Sequence, residues 1–218
     1  MKQRIVIFGI IFLLAVVSGC SWFETAKQDK TADELINEGM AAFEKGDYRK
    51  AAESFQRLKE WYPFSKYASL AELKMGDAFF HAEQYDNAIA AYGEFENLHP
   101  RNEAVPYVIY QIGQCYFKQI DTIDRDQSNT LKASDAFNRL IRQFPDDPYS
   151  KKAAEHIREC HKNLAGHSFY VGVQYYKSKH YKSALSRFKS VISEYPDVGF
   201  HQESLRYIAL CEEALKGK

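Results

Sequence analysis

An all-α solenoid of paired helices is the fold class that the sequence predicts, and three observations carry it. Gly39, Ala51, Phe55 and Pro63 recur at identical spacing as Gly76, Ala88, Tyr92 and Pro100, and again as Gly172, Ala184, Phe188 and Pro196. Gly113, Ala133, Phe137 and Pro145 repeat the series with eight extra residues between glycine and alanine. Between these landmarks apolar residues fall at three- and four-residue intervals, the period of an amphipathic helix. Self-similarity of this kind marks a chain built from stacked supersecondary units.

One unit has a simple physical reading. A first helix carries a glycine where its backbone must approach a second helix closely. The second helix meets it with a small alanine and, one turn later, an aromatic ring that fills the space between the pair. Proline then ends the second helix, because it lacks an N–H and disfavours helical geometry in the residue before it. Lys45-Gly46-Asp47-Tyr48, Glu83-Gln84-Tyr85-Asp86 and Ser178-Lys179-His180-Tyr181 supply polar breakers between the helices. This is the tetratricopeptide pattern. About ten helices in five helix–turn–helix units are expected, with the fourth and fifth units irregular.

Residues 1–19 read as an export signal. Lys2 and Arg4 form a positive start, and Ile5 to Val17 is an apolar run broken by Gly9, too short to span a bilayer comfortably. Val17-Ser18-Gly19-Cys20 resembles the bacterial lipobox, in which the cysteine is acylated (palmitate is one such chain) and heads the mature protein. By analogy, Ser21 in place of aspartate favours sorting to the outer membrane. Residues 20–31 then form a polar tether, and residues 32–218 the repeat domain.

Within that domain Ala32–Lys45 and Tyr48–Trp61 form the first pair, with Asp33 as N-cap, and Tyr67–Glu83 and Tyr85–Leu98 the second. The third begins near Val105 and carries the insertion within Gln119–Thr130, read as an exposed loop marking a contacting face. Helices near Tyr149–Leu164 and His167–Ser178, broken at Gly166, explain why Pro145 and Pro196 lie 51 residues apart. Tyr181–Glu194 and a terminal helix at Gln202–Leu215 finish the chain. Phe64, in the first inter-repeat connection, either staples the incoming helix to the previous one or contacts a ligand.

Composition narrows function. Without Lys2 and Arg4 the 29 basic residues become 27 against 29 acidic ones. That near-balance argues against a nucleic-acid partner, which a basic excess or stripe would serve. No phosphate loop, nucleophile elbow or zinc-protease motif appears, so no catalytic residue and no cofactor is assigned. Asp121, Asp124 and Asp126 lack the glycine and terminal glutamate of an EF-hand calcium loop. His156 and Cys160 share a helix face, but a zinc site asks for more ligands. Cys160 as a small apolar filler and His156 on a wet edge is the better reading, and no metal site is assigned. Apart from Cys20 three cysteines remain, Cys115, Cys160 and Cys211, so at most one disulfide can form.

What remains is binding. First helices line the concave face of such superhelices, and periodicity places Met40, Phe43, Leu73, Asp77, Phe80, Tyr107, Tyr110, Gln114 and Phe117 there, with Phe64 and Tyr67 at the first connection. Aromatic planes with a few polar groups suit an extended peptide of variable sequence, although several of these residues are expected only to pack against neighbouring helices.

The lipobox, the five units, Tyr62-Pro63-Phe64 followed by Tyr67, Pro106-Tyr107-Val108-x-Tyr110 with Gly113, and Asp124-Arg125-Asp126 in the insertion together resemble the BamD (YfiO/ComL) family over essentially the whole chain. The resemblance implies an outer-membrane lipoprotein scaffold of the β-barrel assembly machinery, lipid-anchored, facing the periplasm and not an enzyme. It implies N-terminal repeats that receive extended signals of unfolded outer-membrane proteins. It also implies C-terminal repeats that bind a BamA-like barrel protein, alongside other assembly lipoproteins, with Arg187 at that contact. The alternative is another tetratricopeptide lipoprotein, such as a type IV pilus pilotin or a Tol-Pal-linked envelope coordinator. The short tether leaves no room for the coiled coil usual in the latter.

Overall fold

The computed structural model describes residues 30–196 and 198–217, so the signal segment, Cys20 and most of the tether lie outside the described residues. The described residues form nine α-helices: α1 (Ala32–Glu44), α2 (Tyr48–Trp61), α3 (Ala68–His81), α4 (Tyr85–Leu98), α5 (Val105–Lys118), α6 (Ser128–Gln143), α7 (Pro148–Lys177), α8 (Tyr181–Glu194) and α9 (His201–Lys216). Each packs on its sequence neighbours, and α5 also meets α7, the pattern of a quasi-one-dimensional solenoid.

The repeat landmarks act as their residue types dictate. A Cβ on Gly76, Gly113 or Gly172 would stand 2.6, 2.5 or 2.8 Å from the ring of Tyr92, Phe137 or Phe188, and Gly39 lies at least as close to Phe55. Only glycine admits the ring there. Ala51, Ala88, Ala133 and Ala184 are fully buried at the same crossings, so each helix pair closes on a small residue from either side. The four rings, themselves fully buried, sit in four successive apolar clusters that make up the core.

Even-numbered helices all stop in one geometry. Tyr62, His99, Phe144 and Tyr195 have φ between −126° and −136° and ψ between 54° and 63°, each just before a proline. The ring of the following proline pushes these residues out of the helical region. Each still donates its N–H to the carbonyl four residues back, at Leu58, Phe95, Leu140 and Val191, so the last turn is satisfied before the chain leaves.

The hairpin turns also repeat. Gly46, Glu83 and Lys179 stand at equivalent positions with φ of 77°, 59° and 62°. Each donates to the carbonyl three residues back, at Phe43, Phe80 and Tyr176, and the next residue donates 2.9 Å to the carbonyl five back, a Schellman-type closure. Two of the three turns therefore place a side chain where glycine is favoured.

Three local expectations are corrected. The N-cap of α1 is Thr31, not Asp33: its hydroxyl accepts from the Glu34 N–H while Glu34 reaches back to the Thr31 N–H, a full capping box. Asp33 instead accepts from the Tyr67 hydroxyl at 2.6 Å. The two helices expected on either side of Gly166 are one 30-residue helix, α7. Gly166 is there for close approach, since a Cβ on it would lie 2.9 Å from Ile123 and 3.2 Å from Phe200. One helix therefore does two jobs. Its first half covers α6, and its second half, with Gly172, opens the fourth hairpin.

The third correction is the insertion, which is docked as well as exposed. Buried Gln127 ties the turn together by donating to the carbonyls of Thr122 and Arg125. The His167 ring meets the Ile123 carbonyl at 2.7 Å, so the tip is held against the middle of α7. Asp124, Arg125 and Asp126 remain on the outside.

Candidate functional site

The helix α5 carries Tyr107, Tyr110, Gln114 and Phe117 at three- and four-residue intervals, hence on one face. Across from it α7 presents Tyr149 and His156, two turns apart on one face. The two faces mesh as a ladder of rings. Tyr149 lies 5.4 Å from Tyr107 and 5.2 Å from Tyr110, while His156 lies 4.7 Å from Phe117 and stacks on Phe137 at 5.2 Å and 23°. Such spacings are those of favourable offset and edge contacts.

Polar handles fix the ladder at both ends. Asp77 of α3, 4% exposed, accepts from the Tyr92 hydroxyl at 2.8 Å, the Tyr107 hydroxyl at 2.7 Å and Lys74 Nζ at 2.8 Å. A buried carboxylate is tolerated only with such donors around it. Burial first, and the nearby Asp77 charge second, hold the Tyr92 and Tyr107 phenols protonated well above their ordinary range. At the other end Gln114 donates to the Tyr110 oxygen at 3.1 Å, and Tyr110 meets His156 Nε2 at 3.0 Å. Burial lowers the His156 pKa below its ordinary value and thereby favours the neutral ring. His156 is thus half-buried, with one side in an aromatic nest and the other lining an open depression with Glu155, Arg158, Glu159 and Lys162.

Lys74 extends this surface towards the N-terminus. Its ammonium lies 5.4 Å over the Phe43 ring, so Phe43, Lys74, Asp77 and Tyr107 form a continuous run from α1 through α3 to α5. Phe43 and Phe80 are half-buried and turn an edge to Tyr48 and Tyr85, the first residues of the following helices. Met40 and Leu73 pack on the first and second apolar clusters. Both oxygens of Asp77 and the amide of Gln114 are engaged inside the protein, so these two residues hold the tyrosines in place.

Phe64 stands apart. It is fully exposed and caps nothing, so it does not staple the incoming helix. Tyr67 is half-buried beneath Lys66, whose Nζ lies 4.7 Å over its ring. Arg187 is exposed on α8, in a shallow depression of about 450 Å³ with Tyr175, Lys182, Ser183, Ser186 and Ser190. No ion pair is formed by it among the described residues. Cys115, Cys160 and Cys211 are buried free thiols, and burial pushes those of Cys115 and Cys160 up to about 12, which leaves them unreactive fillers.

Sequence periodicity found the α5 half of the ladder and missed Tyr149 and His156. Their seven-residue spacing was the available signal, masked by Cys160, which lies one turn beyond His156 on the same helix.

Residues 28–217 match the family described as YfiO, outer membrane lipoprotein. The chain belongs to that family. An outer membrane protein assembly factor BamD of Rickettsia prowazekii is 29% identical over 94% of this chain and 82% of its own length. Its counterpart in Caulobacter vibrioides is 26% identical over 92% of this chain and 67% of its own length. Among solved structures, the tetratricopeptide domain of P58(IPK) superposes with a TM-score of 0.51 at 15% identity. That match covers 84% of this chain and 46% of the other, and it bears on the fold alone. Among the described residues of this YfiO-family chain, no helix is long and apolar enough to cross a membrane.

Proposed function

We propose that this chain is a non-catalytic scaffold of outer-membrane β-barrel assembly, anchored to the outer membrane through acylated Cys20 and facing the periplasm. The observation that carries this reading is the family match over residues 28–217, joined by relatives described as outer membrane protein assembly factors. On this reading residues 1–19 are removed as a signal and residues 20–31 tether the repeat domain to the leaflet.

The two ends of the solenoid then divide the work. The run from Phe43 through Lys74 and Tyr107 to Tyr110 and Phe117 receives extended segments of unfolded outer-membrane proteins. Flat rings with hydroxyl and amide handles bind varied apolar side chains without demanding one sequence. Phe80, Leu73 and Tyr67 border that run. At the other end Arg187, exposed on α8 and in no ion pair among the described residues, offers a planar fork for a carboxylate of a BamA-like barrel protein. Other assembly lipoproteins complete the complex.

The test is a pull-down of the tagged, full-length, acylated protein from detergent-solubilised envelopes, with partners identified by mass spectrometry. Recovery of a BamA-like barrel protein, lost on Arg187→Glu, is the expected result. Recovery of secretin or division proteins instead overturns the reading in favour of a pilotin or a Tol-Pal-linked coordinator.

A further inference from the structure

Most of the large apolar side chains are inside, which makes one turn conspicuous. Within ten residues at the α2–α3 connection, Trp61 is 45% exposed, Phe64 100% and Leu70 41%. Leu98, 55% exposed, ends α4 as Trp61 ends α2, and the Lys59–Glu94 ion pair at 2.5 Å joins the two helices near those ends. The four side chains therefore belong to one edge of the solenoid. Phe64 lies in the connection and has no part in the ring ladder of α5 and α7.

The same turn is where the tether enters the fold. The Tyr62 hydroxyl donates to the Lys30 carbonyl at 3.0 Å, which ties the end of the tether to the residue before Pro63 and Phe64. Lys30 lies ten residues after Cys20. Fully extended, that stretch reaches about 35 Å, which sets the greatest distance between this edge and the leaflet and lets the tip touch it. The opposite edge lies a helix length further off, about 21 Å for fourteen residues.

We infer that the Trp61–Phe64 tip docks into the lipid leaflet that holds the anchor, as a second contact that sets the orientation of the solenoid. An indole at a helix end suits the membrane–water interface, where amphipathic aromatics concentrate, and the phenyl ring in the turn after it suits the apolar side of that interface. Acyl chains supply attachment; the tip supplies direction, turning the starts of α1 and α3 and the ends of α2 and α4 towards the membrane. The inference rests on the lipid anchor proposed above.

The test uses the acylated full chain carrying Trp22→Phe, which leaves Trp61 as the sole indole of the two in the sequence. The protein is reconstituted in phosphatidylethanolamine–phosphatidylglycerol vesicles with plain or brominated acyl chains. Trp61 emission should shift to the blue in both and lose intensity with the brominated lipid. Phe64→Asp should abolish both effects while the protein still floats with the vesicles, and its melting temperature should not move because the ring touches nothing. Unquenched Trp61 in a protein that floats overturns the docking and leaves the anchor standing. A blue shift without bromine quenching shows the tip covered by a second copy, which also overturns it. A protein that does not float takes the anchor and the docking down together.

Discussion

Gly113 lies against the ring of Phe137 so closely that a Cβ there would stand 2.5 Å from Cε1, although the insertion places eight more residues between this pair than between Gly76 and Tyr92. The crossing of the third hairpin is therefore indifferent to what happens in its loop. The insertion was free to grow outwards and dock on α7 without disturbing the core, in keeping with the low cost of lengthening a loop.

A direct consequence concerns stability. Gly113→Ala forces the fully buried Phe137 ring to shift inside a packed cluster, and overpacking of this kind costs about 1–3 kcal/mol. Ala88→Phe, at the fully buried crossing of the second hairpin, should do at least as much. Urea melts followed by far-ultraviolet circular dichroism check both. An unchanged midpoint for either variant means that these crossings are not where the hairpins close.

The hairpin turns give a prediction of opposite sign. Lys179 and Glu83 hold φ of 62° and 59°, where Gly46 holds 77° in the equivalent turn. A side chain in the left-handed region costs about 1–2 kcal/mol, and glycine returns roughly 0.4–1 kcal/mol of that through the freer unfolded chain. Lys179→Gly and Glu83→Gly should therefore each stabilise by a few tenths to about 1 kcal/mol. Gly46→Ala should destabilise by a similar amount. Thermal melts of the three variants decide it.

How far the fold was legible follows from where its information sits. Gly39, Ala51, Phe55 and Pro63 lie within one hairpin, so their spacing records their contact and the fold class could be read from it. Gly166 could not be read that way. Within a helix pattern glycine serves a break or a close approach equally well, and Ile123, 43 residues earlier, and Phe200 decide between them. Thr31 and Asp33 are both capping residues, and Glu34 three positions after Thr31 settles the choice. Tyr110 and His156, 46 residues apart, meet only because α7 folds back over α5, and the ladder was half visible for that reason.

Asp77 should prove the most sensitive single residue of the candidate surface. Truncation to alanine strands the Tyr92 hydroxyl, whose ring is fully buried, and leaves Lys74 without its carboxylate. Leaving a buried hydroxyl unsatisfied costs about 1–3 kcal/mol, while Lys74, partly exposed, turns to water. Tyr107→Phe removes one donor of three and should cost about 1.5–3 kcal/mol or less, since that ring is only half-buried. If Asp77→Ala melts with the wild type, the carboxylate does not hold the ladder, and the tyrosines are oriented by packing alone.

His156 carries the pH dependence of the ladder. Burial depresses its pKa in the folded protein, against nearby Glu155 and Glu159, which raise it, and Lys118, which lowers it. The unfolded chain therefore takes up the proton first as the pH falls from about 6.5, the ordinary histidine value. Stability present above that pH is lost between it and the lower folded-state value, and no further loss from this group follows below. Protonation also removes the Nε2 lone pair that can accept from Tyr110 and places a cation among the rings of Tyr110, Phe117 and Phe137. Melting temperatures of wild type and His156→Gln, compared from pH 7.5 to 5, should converge in slope only at the upper end, the wild type falling more steeply below it. Parallel curves throughout would show that the ring titrates as it does in water, outside the aromatic nest.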